Sequence, residues 1–148
     1  MRLYLLEAGW VLIRELMRSA NRAPSTVQLW FCDLALPETV SAVQQAAHST
    51  DAARRGISRA ALRHTLPRVR DDFGVESPLM TIPSSSCMSI AAEIVERQQV
   101  RGADAVHIAA ALAARNSVGP GVTFIFVSND KQQCKAAERE GLEVLTPA

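Results

Sequence analysis

Three acidic residues stand where neighbouring elements could bring their carboxylates together. Glu38 falls in the first turn of an expected helix that follows an apolar strand. Asp104 lies at the N-terminus of an alanine-rich helix, and Asp130 directly follows a second apolar strand. In open parallel sheets, ligands bind outside the carboxyl ends of the strands. Like charges gathered in one such cleft repel and usually need a cation to be tolerated. No His or Cys cluster lies near these acids, and hard carboxylate oxygens suit Mg²⁺ or Mn²⁺. Taken singly, each acid also has a plainer role. A carboxylate near a helix N-terminus complements the helix dipole by roughly 0.3–1 kcal/mol, or caps the helix.

The elements that must position these acids follow from periodicity and punctuation. Trp10, Leu12, Ile13, Leu16 and Met17 recur at helical spacing, which predicts an amphipathic helix over 8–19. A polar loop with Pro24 leads to an apolar strand over 27–32. A second helix starts near Pro37, a residue suited to a first turn. A third runs over 58–73, capped by Ser58 and kinked at Pro67. A short strand over 79–82 and a helix over 87–99 come next. The alanine-rich helix covers 103–115, and Gly119, Pro120 and Gly121 end the segment. Residues 122–127 are almost wholly apolar, the pattern of a strand covered on both faces. A helix over 131–140 with Gly141 as its C-cap and a strand over 142–145 close the chain. Strands alternating with helices predict an α/β fold with a mostly parallel sheet flanked by helices.

At 148 residues, 48% hydrophobic and 21% charged, the chain has the length of one domain and an ordinary globular composition. A net charge of +1 makes the molecule as a whole no magnet for nucleic acid. Any such binding must come from local clustering. Arg54, Arg55, Arg59, Arg63, Arg68 and Arg70, with His64, form one cluster. It reads either as a solvated helix face or as a contact for RNA backbone or an acidic partner. Few aromatics accompany it, so base stacking is not supported. Cys32, Cys87 and Cys134 are odd in number and widely spaced, which argues for reduced, packed thiols in a cytoplasmic protein. The N-terminal apolar run is too short for a membrane span and is broken by Glu7 and Arg14. His107 is expected to pack with a hydrogen bond, His48 to cap a helix end, and Trp10 and Trp30 to anchor a core or interface.

The segment Gly102-Ala103-Asp104-Ala105-Val106-His107-Ile108-Ala109-Ala110-Ala111-Leu112 resembles the third-acid motif of PIN domains. Phe126-Val127-Ser128-Asn129-Asp130 resembles their next motif, an apolar strand ending in S/T-x-D, and the tail from Ala136 to Pro147 is similar to the usual family ending. Asp33-Leu34-Ala35-Leu36-Pro37-Glu38-Thr39-Val40-Ser41-Ala42 resembles the second-acid motif, with Glu38 as the acid. The style is that of VapC-like toxins, from about Glu7 onward. The resemblance implies a three-layer PIN-like fold over residues 1–148 and a metal-dependent endoribonuclease. Glu38, Asp104 and Asp130 would be its catalytic and metal-binding residues and Mg²⁺ or Mn²⁺ its cofactor. Ser128 would either orient a ligand or water or bond locally. The implied partners are an RNA substrate, an antitoxin protein and a second copy of the chain, with no membrane.

The resemblance departs at the start. PIN domains open with a short strand ending in Asp, and no Asp precedes Asp33. Either the chain begins downstream of the family's usual start, as an N-terminally incomplete domain, or residues 3–6 form a shortened strand and Glu7 replaces the Asp. Two functions follow: a ribonuclease toxin whose activity in this chain is in doubt, or a catalytically inactive PIN-like binding module or truncated gene product.

Overall fold

The computed structural model describes residues 9–49, 57–74 and 76–147. The chain forms helix α1 (Trp10–Ala20), strand β1 (Leu29–Cys32), helices α2 (Ala35–His48) and α3 (Arg59–Asp72), and strand β2 (Leu79–Ile82). A 3-10 turn (Ser84–Ser86), helices α4 (Met88–Arg97) and α5 (Gly102–Ser117), strand β3 (Ile125–Val127), helix α6 (Lys131–Arg139) and strand β4 (Glu143–Leu145) follow. The class is mixed α/β, as the alternation predicts. Contacts divide the chain into two compact units, one of Met1–Leu29 with Ala35–Met80 and one of Trp30–Leu34 with Thr81–Ala148. Among the described residues no helix is long and apolar enough to cross a membrane.

In the first unit α2 packs on α3. Helix α2 buries Thr39, Val43, Ala46 and Ala47, positions spaced by four, three and one, which is a single stripe of a helix. Ser58 caps α3 by accepting the Ala61 N–H at 3.1 Å. Pro67 sits inside that helix, and Phe73 ends it. The expected boundaries of this helix, 58 and 73, are its two caps.

The second unit is built around α5. Its Ala105, Val106, Ile108, Ala109, Ala110, Ala111 and Ala114 are all buried, so the helix is enclosed on most of its circumference. Side chains this small let α4 and α6 approach closely. Ile94 of α4 and Ile108 of α5 are its largest fully buried side chains. Helix α6 ends in a Schellman turn. Gly141 takes φ 78°, a left-handed conformation open to glycine at little cost. The Leu142 N–H then donates to the Ala137 carbonyl at 3.0 Å, and the Gly141 N–H to Glu138 at 2.9 Å. Glu140, beside that turn, accepts from Arg97 at 3.1 Å and from Gln98 at 2.9 Å, tying the end of α4 to the end of α6.

Two expectations about strands need correction. The described strands do not join into one sheet. They pair two by two, β1 with β2 and β3 with β4, the latter parallel with Phe126 opposite Val144. The strand expected over 122–127 is only Ile125–Val127, and it is not covered on both faces. Val122 is 58% exposed and Ile125 42% exposed. Apolar runs signal burial only where a layer exists to cover them, and no described strand beyond β4 flanks β3.

The packing makes a direct prediction. Truncation of Ile94 or Ile108 to Ala removes a fully buried side chain among helices already closely packed, so each should cost about 2–5 kcal/mol. Val122→Ala, at an exposed position, should stay within about 0.5 kcal/mol of the parent. Urea unfolding of the three variants checks this ranking.

Candidate functional site

Asp104 and Asp130 come together through one intermediate side chain, Gln133. Asp104 sits in the first turn of α5, and Asp130 is the N-cap of α6. The Asp130 Oδ1 accepts the backbone N–H groups of Gln132 at 2.8 Å and Gln133 at 3.0 Å. This is the bonding expected of an N-cap carboxylate toward the second and third helical positions. Gln133, third in the helix, is 8% exposed. Its Nε2 donates to the Asp104 Oδ1 at 3.3 Å, and its Oε1 accepts from the Ser128 hydroxyl at 2.6 Å. Ser128 in turn accepts the Asp130 N–H at 3.2 Å. The Asp-x-x-Gln spacing is that of a capping box whose Gln reaches beyond the cap.

The orientation of the Gln133 amide follows from this set. An ionised carboxylate only accepts, so the amide must present its NH₂ to Asp104 and its oxygen to the Ser128 hydroxyl. Gln133 is a neutral bridge between two acids, and its backbone N–H serves the second of them. The two N-termini of α5 and α6 add partial positive charge beside both carboxylates. The short link from β3 to α6 fixes the arrangement, together with the Cys134 thiol, which donates to the Ser128 carbonyl at 3.3 Å.

Glu38 lies in the first turn of α2, exposed, in the first unit, whereas Asp104 and Asp130 belong to the second. Among the described residues no group of three or more His, Cys, Asp or Glu stands close enough to hold one metal ion. Glu7, Arg54 and Arg55 lie outside the described residues, as does the Trp10 side chain. His107 is half-buried on α5, and Trp30 is half-buried on β1. His48, in the last turn of α2, contacts the Gln44 carbonyl through Nδ1 at 2.9 Å, the helix-end role expected of it. All three cysteines are free and buried, and burial pushes the Cys32 thiol above its ordinary range.

Asp33 is an acid that the sequence reading passed over. It directly follows β1, where its N–H donates to the Ile82 carbonyl at 3.1 Å. Its carboxylate accepts the Ser84 N–H at 2.9 Å. The Ser84 hydroxyl and that N–H hold Asp33 below the usual carboxylate range. Its position at a strand's carboxyl end is the signal for it in the sequence.

Two predictions separate structural from chemical roles here. Asp130→Ala should cost about 0.5–2 kcal/mol through the lost cap, whereas Asp130→Asn, which caps as well, should cost a few tenths. Chemical denaturation reads both. Asp33 titrates below its unfolded value, so its contribution is present above the ordinary carboxylate pKa and is lost as pH falls through the lowered one. Asp33→Asn should therefore be less stable than the parent at pH 7 by under about 1 kcal/mol, as befits an exposed charge. The gap should close at acidic pH, and unfolding across a pH series tests it.

No family model, curated protein or solved structure matches this chain.

Proposed function

We propose that this chain is a PIN-like, VapC-type metal-dependent endoribonuclease fold, with Asp104 and Asp130 as the centre of its site. The observation that carries the reading is Gln133, which gathers these two acids into one hydrogen-bonded group at the starts of α5 and α6. The donor set fits Mg²⁺ or Mn²⁺. Such ions take one or two carboxylates, keep several waters and complete their shell with substrate phosphate oxygens. Asp104 and Asp130 would hold the ion. When bound, the ion supplies an acidified water and positive charge at a phosphodiester.

The chain's own residues do the positioning. Ser128 fixes the Gln133 amide, and Gln133 orients the Asp104 carboxylate. Both N–H bonds to Asp130 fall on Oδ1, which directs that oxygen into the helix cap and sets the plane of the carboxyl group. An RNA strand is the substrate of this reading. An antitoxin protein and a second copy of the chain are the partners it implies.

A second reading is supported by a specific observation: no third acid joins the pair among the described residues. Two carboxylates without a third bind a divalent ion weakly, which suits a PIN-like module that binds without cutting. The two readings are separated by RNA cleavage in Mg²⁺ or Mn²⁺. Weak cleavage is expected from this chain, abolished by Asp104→Asn and lowered about 10–100-fold by Gln133→Leu, as for residues that orient a metal's ligands. Glu38→Gln and Glu7→Gln report whether either supplies a further carboxylate. Cleavage untouched by Asp104→Asn would sink the nuclease assignment for this site.

A further inference from the structure

We infer that the exposed face of α3 binds the phosphate backbone of an RNA strand, through Arg59, Arg63 and Arg70. The inference rests on the RNA-directed reading above and adds a binding surface outside the carboxylate group. At 100° per residue, Arg59, Arg63 and Arg70 fall within about 40° of one another around the helix. All three are exposed. One flank of the stripe is apolar: half-buried Leu66 falls about 20° from Arg59 by the same count, with half-buried Leu62 and buried Val69 beyond it. Arg68, on another part of the exposed side, pairs with Asp72 at 4.0 Å. Among the described residues Arg59, Arg63 and Arg70 have no ion-pair partner. Asp71 is the exposed acid of the helix and lies in its last turn. Arg59, Ala60, Arg63 and His64 line an open cavity of about 410 Å³ at the start of the stripe.

The charge is segregated along the chain in the same sense. The unit that contains α3 holds ten arginines and no lysine against seven acids, whereas the other holds six basic residues against eight acids. The chain's net +1 therefore conceals a basic unit. Arginine's planar fork matches phosphate oxygens two at a time and is less strongly hydrated than an ammonium group. The exposed face carries Ala60 and Pro67 but no aromatic or large aliphatic residue. It therefore offers neither the apolar anchors of a protein interface nor platforms for base stacking. What remains is a row of unpaired guanidinium groups, which is complementary to a polyphosphate of any sequence.

The test is fluorescence anisotropy of a labelled single-stranded oligouridylate with the full chain in EDTA, across a salt series. Each phosphate contact contributes about −0.7 to the slope of log affinity against log salt for single strands. Arg59→Gln/Arg63→Gln/Arg70→Gln should therefore flatten the slope by about 2 and weaken low-salt binding by at least ~10-fold. Replacing the uridylate with an oligoadenylate should give the same loss. Circular dichroism checks folding, and Arg63→Gln alone, flattening the slope by about 0.7, carries the test if the triple variant does not fold. Unchanged slope and affinity in the folded variant would overturn the inference. So would loss of polyglutamate binding with RNA binding intact, which assigns the face to an acidic protein. Because EDTA removes divalent ions, a chain that never cleaves RNA can still pass or fail this test on its own.

Discussion

Carboxylates placed near one another must have their repulsion offset, and in this protein the offset is supplied by a neutral amide and two helix ends. A buried polar side chain is costly unless its donors and acceptors are satisfied. Gln133 meets that condition through Asp104 and Ser128, and among the described residues no buried side-chain nitrogen or oxygen lacks a partner. Much of the second unit's local structure serves this group. The link from β3 to α6 must be short enough for Asp130 to cap the helix. The first turn of α6 must then face inward for Gln133 to reach α5. The Schellman turn at Gly141 and the Glu140 contacts to α4 hold the far end of α6, so its N-terminus is restrained from both directions.

The packing that permits this reach is a matter of side-chain size. Helix α5 presents alanines where a typical core would present leucines, so the helices packed on it can approach closely. Ala136 and Ala137 on α6 and Ala91 on α4 continue the same pattern. In such an interior one added methylene must displace backbone rather than fill a gap. The buried cysteines fit the same scheme as small apolar groups. Burial among such groups holds the Cys32 thiol above its ordinary range.

Helix limits were legible wherever a residue marks its own boundary. Ser58 as a cap, Gly141 as a left-handed stop and the alanine run of α5 each have one strong local preference, and the observed elements follow them. Strand pairing was not legible, because the partner of an apolar run is set by the rest of the chain. The run over 122–127 carries the pattern of an enclosed strand, yet Val122 and Ile125 face solvent. For the site, the closeness of Asp104 and Asp130 follows from their placement at helix starts. Gln133 was missed for a different reason. A glutamine on an amphipathic helix reads as a solvent-facing residue, and only the Asp-x-x-Gln spacing hints that it turns inward. Asp33 shows the complementary failure, since an acid one residue past a strand was overlooked beside a motif that pointed to Glu38.

The same interactions that hold the two acids also set what a cation would gain there. Each carboxylate lies at a helix N-terminus, where the dipole already favours its negative charge by a fraction of a kcal/mol to about 1 kcal/mol. The hydrogen bonds on Asp130 Oδ1 are charge-assisted and stronger than neutral ones. A divalent ion approaching this pair therefore competes with protein donors instead of relieving an unscreened repulsion. The helix ends that favour the carboxylates also oppose a positive ion through their own partial charge. Two acids stabilised in this way need no metal ion to offset their repulsion. A further carboxylate, coming from an element whose N–H groups do not already claim it, would shift that balance most.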